Sequence, residues 1–484
     1  MGCMIKIEQA LELLRGKRVV EDSREVVGIA DALVWDSRIM KGGGVEFVRA
    51  ALDKGATVVT DLEVQGAVRV ADAGEVLARY AAGHWPKQPA KIVGVTGTAG
   101  KSSVAWFCQQ IGRQMNSAAV GTLGVIREDK VVEYTGYTSP SALKVHPILQ
   151  SLAEDGVGLA ALEVSSHALA LRRMDGVRFC AAGYTNFTQD HLDFHGSMEE
   201  YFLAKLRLFS EVLPENGLAV VNVRRQELWP ILGVVKQRGG KLLSVGTSNA
   251  ELVVEVVRAD ARGLQVNLKL DRVPVALELP LVGSFQADNL AVALGLMVGA
   301  GMAWGEIATA AAHVTSVAGR MEIVGGGKAK GQGALAKGGR PTVVVDYAHK
   351  PDALRRALEA LRPMVVGSGK LRVVFGCGGN RDAGKRPIMG KIAAELADAV
   401  YVTDDNPRRE EAGGIRDAVV AGVVAGGKKP RNIGDRRKAI LAALNDSGPD
   451  DVVLVAGKGH EDGQIVGETV LPFDDRVVVR ELLG

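Results

Sequence analysis

The sequence is short of cysteine, of net charge and of long apolar runs, and each shortage removes a class of protein. Four cysteines in 484 residues, Cys3, Cys108, Cys180 and Cys377, lie far apart and form no CxxC pair. That spacing builds neither a disulfide framework nor a cysteine zinc site, and it fits a reducing cytoplasm. A net charge of +3 gives no electrostatic footprint for nucleic acid. The uncharged stretch from Asn289 to Trp304 spans about 16 residues where a membrane helix needs about 20, so it reads as a buried helix. The opening MGCMIK has no basic-then-apolar leader, and Lys6 stands where a myristoylation signal wants Ser or Thr. Neither a signal peptide nor a lipid anchor is expected.

What is present is ordinary soluble-protein composition, 47% hydrophobic and 24% charged, in a length suited to two to four domains. Val-rich runs recur between helical patterns: IVGVTG, GLAALEVSS, LAVVNV, TVVVDYA, RVVFGCGG, AVYVTDDN and VVLVAGKG. Apolar throughout and closed by Gly, Asp, Asn or Ser, they read as parallel strands buried on both faces, in βαβ units. Ligands of such sheets sit at the carboxyl ends of the strands. Two seams stand out, HWPKQPAK from His84 and the Gly/Lys/Ala-rich GGGKAKGQGALAKGGR from Gly325 to Arg340, the second a flexible linker. The expected fold is α/β in three domains: a small N-terminal α/β domain (1–88), a central P-loop-type ATPase domain with a mostly parallel sheet (89–327), and a C-terminal Rossmann-like domain (328–484). The alternating LVVEVVRADARGLQVNLKL suits an antiparallel hairpin appended to the central domain.

KIVGVTGTAGKSS, Lys91 to Ser103, departs from the strict phosphate-loop spelling, with Val95 where the first glycine belongs. Its context is still that of a phosphate loop: a strand, a Gly-rich turn, then the helical pattern KSSVAWFCQQIGRQM. Gly97 and Gly100 let backbone N–H groups face an anion at a helix N-terminus. Lys101 can reach terminal phosphates, and the Ser102 hydroxyl can bind Mg²⁺. The plain alternative is a tight glycine turn with a solvated lysine.

Downstream lie Glu163 at a strand end, then TNFTQDHLDFHG with Asp190, His191, Asp193 and His195, then Lys205. Helical spacing puts Lys205 inside the apolar stripe Met198, Tyr201/Phe202, Leu208/Phe209. A lysine there snorkels to the surface, enters a buried ion pair, or has its pKa depressed by desolvation so that the amine takes up CO₂. A carboxylated lysine offers anionic oxygen to a hard cation such as Mg²⁺. The spacing leaves all three open. For the histidines the plain alternative is a side chain satisfied in a polar turn, strongest for His195.

In order along the chain, DSREV, GTAGKSS, TSPSALKVH, EVSSHAL, TNFTQDHLDFHG, YFLAKLRLF, GSFQADNL, GRMEIV, DYAHKPDAL, FGCGGNRDAGKRP, TDDNPR and GKGHEDGQ resemble the Mur ligases of bacterial cell-wall synthesis. Within that family they are most similar to the member that adds the third residue of the peptide stem. The resemblance implies an ATP-dependent amide ligase of cytoplasmic peptidoglycan precursor synthesis, acting as a monomer on UDP-MurNAc-dipeptide and meso-diaminopimelate, with ATP and Mg²⁺ as cofactors. Gly97, Thr98, Ala99, Gly100, Lys101, Ser102 and Ser103 then hold the ATP phosphates, and Asn289, Arg320, Asp346 and His349 lie near the nucleotide. Ser102, Glu163, His191 and a carboxylated Lys205 are the metal residues, and Lys101, Glu163, His191 and Lys205 the catalytic ones. Ser23, Thr138, Ser139, Ser165 and Arg173 hold the nucleotide-sugar dipeptide. Arg381, Asp405, Asn406, Pro407, Arg408, Gly457 and Glu461 hold diaminopimelate, Arg408 through a bidentate carboxylate contact and Glu461 through the distal ammonium.

Departures from the family pattern are Leu171, where a polar contact is common, Lys350, where Thr is usual, and a DSR repeated at Asp22–Arg24 and Asp36–Arg38, of which the first fits better. Two alternatives stand: an L-lysine-adding ligase, and a non-catalytic P-loop nucleotide switch, which needs neither a buried Lys205 nor the strand ends DDNPR and GKGHED.

Overall fold

All seven Val-rich runs are strands in the computed structural model, which describes residues 4–40, 42–246, 249–260, 263–325 and 339–484. The Gly/Lys/Ala-rich linker lies almost wholly outside the described residues, as does Cys3. The chain divides into two compact units: Met1–Val253 with Lys269–Val273 and Asp288–Ala311, and Val254–Leu268 with Pro274–Ala287 and Ala312–Gly484.

The first unit contains two sheets. The N-terminal one runs in chain order through Arg18–Val20, Asp31–Trp35, Thr57–Thr60 and Val68–Arg69, all parallel. Helix Ala73–His84 covers it, burying Val76, Ala78 and Ala81 beside Val34 and Val59. In the central sheet Lys91–Thr96 lies between Leu159–Glu163 and Ala181–Tyr184, all parallel. The registers Val95 to Glu163 and Thr96 to Tyr184 bring the carboxyl ends of three strands level. Leu218–Asn222 and Lys241–Gly246 extend the sheet on one side, and Ser117–Gly121 extends it on the other. Asp72 accepts from Arg172 at 2.6 Å and from Arg38 at 2.7 Å, joining the two sheets' elements. Residues 289–299 of the uncharged stretch are helical, in Phe285–Gly299, with Leu290, Val292, Leu294 and Met297 fully buried, and residues 300–303 turn into the next helix, Trp304–Ala311.

The second unit is built on the order Glu322–Gly325, Thr342–Asp346, Val452–Ala456, Leu371–Phe375, Ala399–Val402 and Arg431–Asn432, parallel except for the first strand. Arg436 and Asp475, both fully buried and 2.7 Å apart, fasten helix Arg436–Asn445 to helix Asp475–Leu483. Strands Leu252–Asp260 and Gly263–Leu270 realise the alternating segment. As the sequence pattern expects, they continue the central sheet, Leu252–Asp260 pairing with Lys241–Gly246 through Val245 opposite Leu252, although Val254–Leu268 clusters with the second unit.

Helix Met198–Arg207 begins at Ser197, whose hydroxyl accepts from the Glu200 N–H at 3.1 Å, and runs into a wider π turn, Leu208–Val212. Tyr201, Lys205, Leu208 and Phe209 are its buried face. Ser197→Ala removes the cap and is expected to cost about 1 kcal/mol of stability, read as a lower denaturant midpoint at unchanged slope.

Candidate active site

The loop after Lys91–Thr96 needs glycine twice. Gly97 has φ +143°, and a Cβ there meets Thr185 Oγ1 at 1.9 Å. Gly100 has φ +86°, and a Cβ there meets Asn289 Oδ1 at 2.3 Å. Helix Lys101–Ile111 leaves directly from Gly100, so its N-terminal N–H groups open into the loop. The Asn186 side chain clamps Ala99, accepting from its N–H and donating to its carbonyl, each at 3.0 Å. The first predicted nucleotide group, Gly97 to Ser103 with Asn289, is thus assembled in one place.

Lys101 Nζ donates to the carbonyls of Gly97 (2.8 Å) and Thr98 (3.1 Å). Lys205 Nζ donates to the same Gly97 carbonyl at 3.0 Å and lies 4.8 Å from the Tyr201 ring centroid. Lys205 is 1% exposed, which removes the snorkelling alternative. Burial, reinforced by the Lys101 charge, pushes its pKa well below the usual lysine value. Ser102 Oγ donates to Glu163 at 3.0 Å, and the same carboxylate accepts from the Thr122 N–H at 2.9 Å. His191 stands in the left-handed region, φ +53°, 3.3 Å from Asp190. Its ring centroid is 4.7 Å from that of His167 and 6.2 Å from that of Tyr201. Burial, then the His191 charge, lowers His167 to about 4. His195 is the satisfied histidine of the plain alternative, buried, with Nε2 2.9 Å from Ser166 Oγ, and burial lowers it to about 4.

No group of three His, Cys, Asp or Glu side chains among the described residues is arranged to hold a metal ion. The donor chemistry nevertheless suits a hard divalent cation. Ser102 and Glu163 offer hydroxyl and carboxylate oxygen side by side, and a carboxylated Lys205 would add two more oxygens at the same loop.

Ser139 Oγ donates to the Glu163 carbonyl at 2.8 Å and accepts from the Ser165 N–H at 2.9 Å. Thr138 accepts from Thr122 at 3.0 Å, and Arg173 donates to the Ser139 carbonyl at 3.3 Å. Burial works against the Arg173 charge, and no carboxylate among the described residues pairs with it. A half-buried, unpaired guanidinium suits an anionic ligand. Ser23 stays apart: it is buried, its carbonyl accepts from Lys54 at 3.2 Å, and no hydrogen bond ties it to these four.

In the second unit, the Arg320 guanidinium lies 4.4 Å from the Tyr347 ring centroid. His349 Nδ1 is 2.8 Å from the Tyr347 carbonyl, and burial lowers His349 to about 4. Asp346 accepts from the Met321 and Ala348 N–H groups, yet burial raises its pKa. Next to them, Asp405, Asn406 and Gly457 close the strands Ala399–Val402 and Val452–Ala456, and a Cβ on Gly457 meets Asp405 Oδ2 at 2.6 Å. Arg408, with φ +53°, receives its place from backbone pairing, its N–H donating to the Ile465 carbonyl at 3.0 Å, and its side chain reaches the Gly379 carbonyl at 3.0 Å. Arg381 is exposed, and Glu461 accepts from Asn406 Nδ2 at 2.9 Å. Sequence reasoning missed Asn186, Thr122, Tyr347 and Lys458.

Residues 95–297 match the family model described as Mur ligase middle domain, and residues 319–459 match that described as Mur ligase, glutamate ligase domain. The UDP-N-acetylmuramoyl-L-alanyl-D-glutamate–2,6-diaminopimelate ligase of Caulobacter vibrioides is 44% identical, covering 94% of this chain and 93% of its own. The protein of that name from Bradyrhizobium diazoefficiens is 40% identical, covering 95% of each. A solved structure of a ligase of that name aligns at TM-score 0.66 and 30% identity over 96% of this chain and 94% of its own. A MurF ligase from Thermotoga maritima in complex with ADP shares the fold at TM-score 0.56 and 19% identity, covering 97% of each chain.

Proposed function

The chain belongs to the Mur ligase family, and from that premise we propose that it joins meso-diaminopimelate to UDP-N-acetylmuramoyl-L-Ala-D-Glu at the expense of ATP. In this reading residues 1–88 receive the nucleotide-sugar, 89–327 bind ATP, and 328–484 bind the amino acid. One chain supplies every subsite, so the enzyme works as a monomer. The free cysteines 108, 180 and 377 favour a reducing compartment, here the cytoplasm. Among the described residues no helix is long and apolar enough to cross a membrane.

The observation that carries the reading is two lysine nitrogens, Lys101 Nζ and Lys205 Nζ, at one loop carbonyl beside a Ser102–Glu163 pair. Lys101 at the start of a helix suits the chain of ATP phosphates, and Lys205, its pKa depressed by burial, is the amine open to carboxylation. Lys101 moves from the loop carbonyls to the phosphates and offsets charge as the D-glutamyl carboxylate approaches. The carboxylate oxygen bonds to the γ-phosphorus, the bond to the ADP oxygen breaks, and an acyl phosphate and ADP result. The neutral amine of the amino acid then adds to the acyl carbon. The tetrahedral intermediate expels orthophosphate, and the nitrogen loses a proton to leave the amide.

Bound Mg²⁺ supplies electrostatic stabilisation of the phosphoryl oxygens, with Ser102, Glu163, His191 and a carboxylated Lys205 as its protein partners. Depression of the Lys205 pKa favours the neutral amine that reacts with CO₂ to give the carbamate and a proton. Arg173, Ser139, Ser165 and Thr138 suit the anionic sugar-peptide. Arg408 and Glu461 suit the carboxylate and ammonium at the far end of diaminopimelate. The test is turnover of purified protein with Mg²⁺, ATP, the UDP-dipeptide and a panel of amino acids. Stoichiometric orthophosphate and a new amide are expected with diaminopimelate, and turnover with L-lysine alone overturns the choice of amino acid.

A further inference from the structure

Lys458 is 0% exposed, immediately after the strand Val452–Ala456 and Gly457, and the reaction just described gives it no task. A buried ammonium is expensive unless its donors are used. Here they converge on two acceptors: Asn406 Oδ1 at 3.0 Å and Glu461 Oε2 at 3.4 Å. These contacts fix the orientation of a side chain that could otherwise flip. With Oδ1 turned to Lys458, Asn406 also accepts from the Ile465 N–H at 2.9 Å, and its Nδ2 donates to Glu461 Oε2 at 2.9 Å. Glu461 is therefore gripped through one oxygen by two donors, and Oε1 has no hydrogen bond among the described residues. The Ile465 carbonyl in turn accepts from the Arg408 N–H at 3.0 Å. A continuous path runs from the Lys458 ammonium to both charged residues of the amino-acid subsite.

We propose that Lys458 is the positioning residue that sets amino-acid specificity, holding Glu461 and Arg408, through Asn406 and Ile465, toward the ammonium and the carboxylate of one zwitterionic terminus. The inference rests on the diaminopimelate reading above. It also explains why a lysine stands beside a carboxylate meant for an ammonium. Glu461 offsets the charge of the fully buried Lys458, and a zwitterionic terminus engages both Glu461 and Arg408, whereas a lone ammonium meets only half of a prepared site.

The test compares wild type with Lys458→Met, Lys458→Arg and Asn406→Asp, measuring KM separately for diaminopimelate, ATP and the UDP-dipeptide, and the preference for diaminopimelate over L-lysine. Lys458→Met is expected to raise KM for diaminopimelate about tenfold and lower that preference, with the other two KM values within about twofold. Lys458→Arg, which keeps a cationic donor, recovers part of the loss. Asn406→Asp keeps the shape and the contact to Lys458 but turns a second anion on Glu461, so it raises the same KM even if Lys458→Met does not fold. An unchanged diaminopimelate KM in Asn406→Asp, or KM values for all three substrates rising together in Lys458→Met, overturns the proposal. Wild type that ignores diaminopimelate overturns the underlying reading instead, a distinct result.

Discussion

Lys205→Met is expected to lower kcat by about 10³-fold while making the unliganded protein more stable. The two effects share a cause. Lys205 lies on the buried face of helix Met198–Arg207, and among the described residues its ammonium donates to one carbonyl, that of Gly97, and sits over the face of Tyr201. That is poor compensation for lost hydration. Burial depresses the pKa, so the unfolded chain binds a proton that the folded chain resists. Stability therefore rises with pH through the interval between the folded and unfolded lysine pKa values, and the penalty is fully present below it.

A methionine takes no proton and fills the same slot. In CO₂-depleted buffer near neutral pH, Lys205→Met should raise the unfolding midpoint by roughly 2–4 °C, about 1 kcal/mol, with the gain shrinking as pH increases. Activity moves the other way, because the variant has lost the amine that, in the function proposed above, becomes an anionic oxygen ligand at the phosphates, where charge stabilisation is worth several kcal/mol. Phosphate-release kinetics and calorimetry on one sample read both. Full activity in the variant ends the metal-ligand role, and a lower midpoint ends the account of the burial.

Much of this was legible in the sequence because the informative residues are short-range features of strand ends. The Val-rich runs are buried on both faces, so their composition announces them, and the polar residues that close them are the loop residues a ligand meets. Lys205 was legible for a different reason, as a charge placed against a helical period. The strands of the N-terminal sheet, such as Arg18–Val20 and Val68–Arg69, are too short for a period to emerge. The strand Ala181–Tyr184 gives no signal because AAGY lacks β-branched residues. Its burial comes from neighbours on both sides. Asn186 and Lys458 were missed because their importance is a matter of partners. The first clamps Ala99 from 87 positions away, and the second reaches Asn406 from 52. Spacing along the chain carries no trace of such contacts.

Arg408→Asn should lower kcat/KM for diaminopimelate by about 10²-fold and leave turnover of L-lysine, however small, nearly unmoved. Asparagine is the informative substitution because Arg408 sits at φ +53°, a conformation Asn tolerates and most residues do not. The backbone pairing to Ile465 is then kept, and only the side chain is lost. A guanidinium held by the Gly379 carbonyl through Nη1 has further N–H groups left for a carboxylate, and charge-assisted bonds of that kind are worth about 1.5–3 kcal/mol each. L-lysine has the distal ammonium but no distal carboxylate, so it cannot register the loss. Arg408→Lys keeps the charge without the planar fork, and diaminopimelate turnover should fall between wild type and Arg408→Asn. Steady-state kinetics with both amino acids at saturating ATP decide the matter. An equal fall for the two substrates means that Arg408 shapes the loop without reading the carboxylate, and the specificity must then be sought at Arg381, the other guanidinium assigned to this subsite and an exposed one.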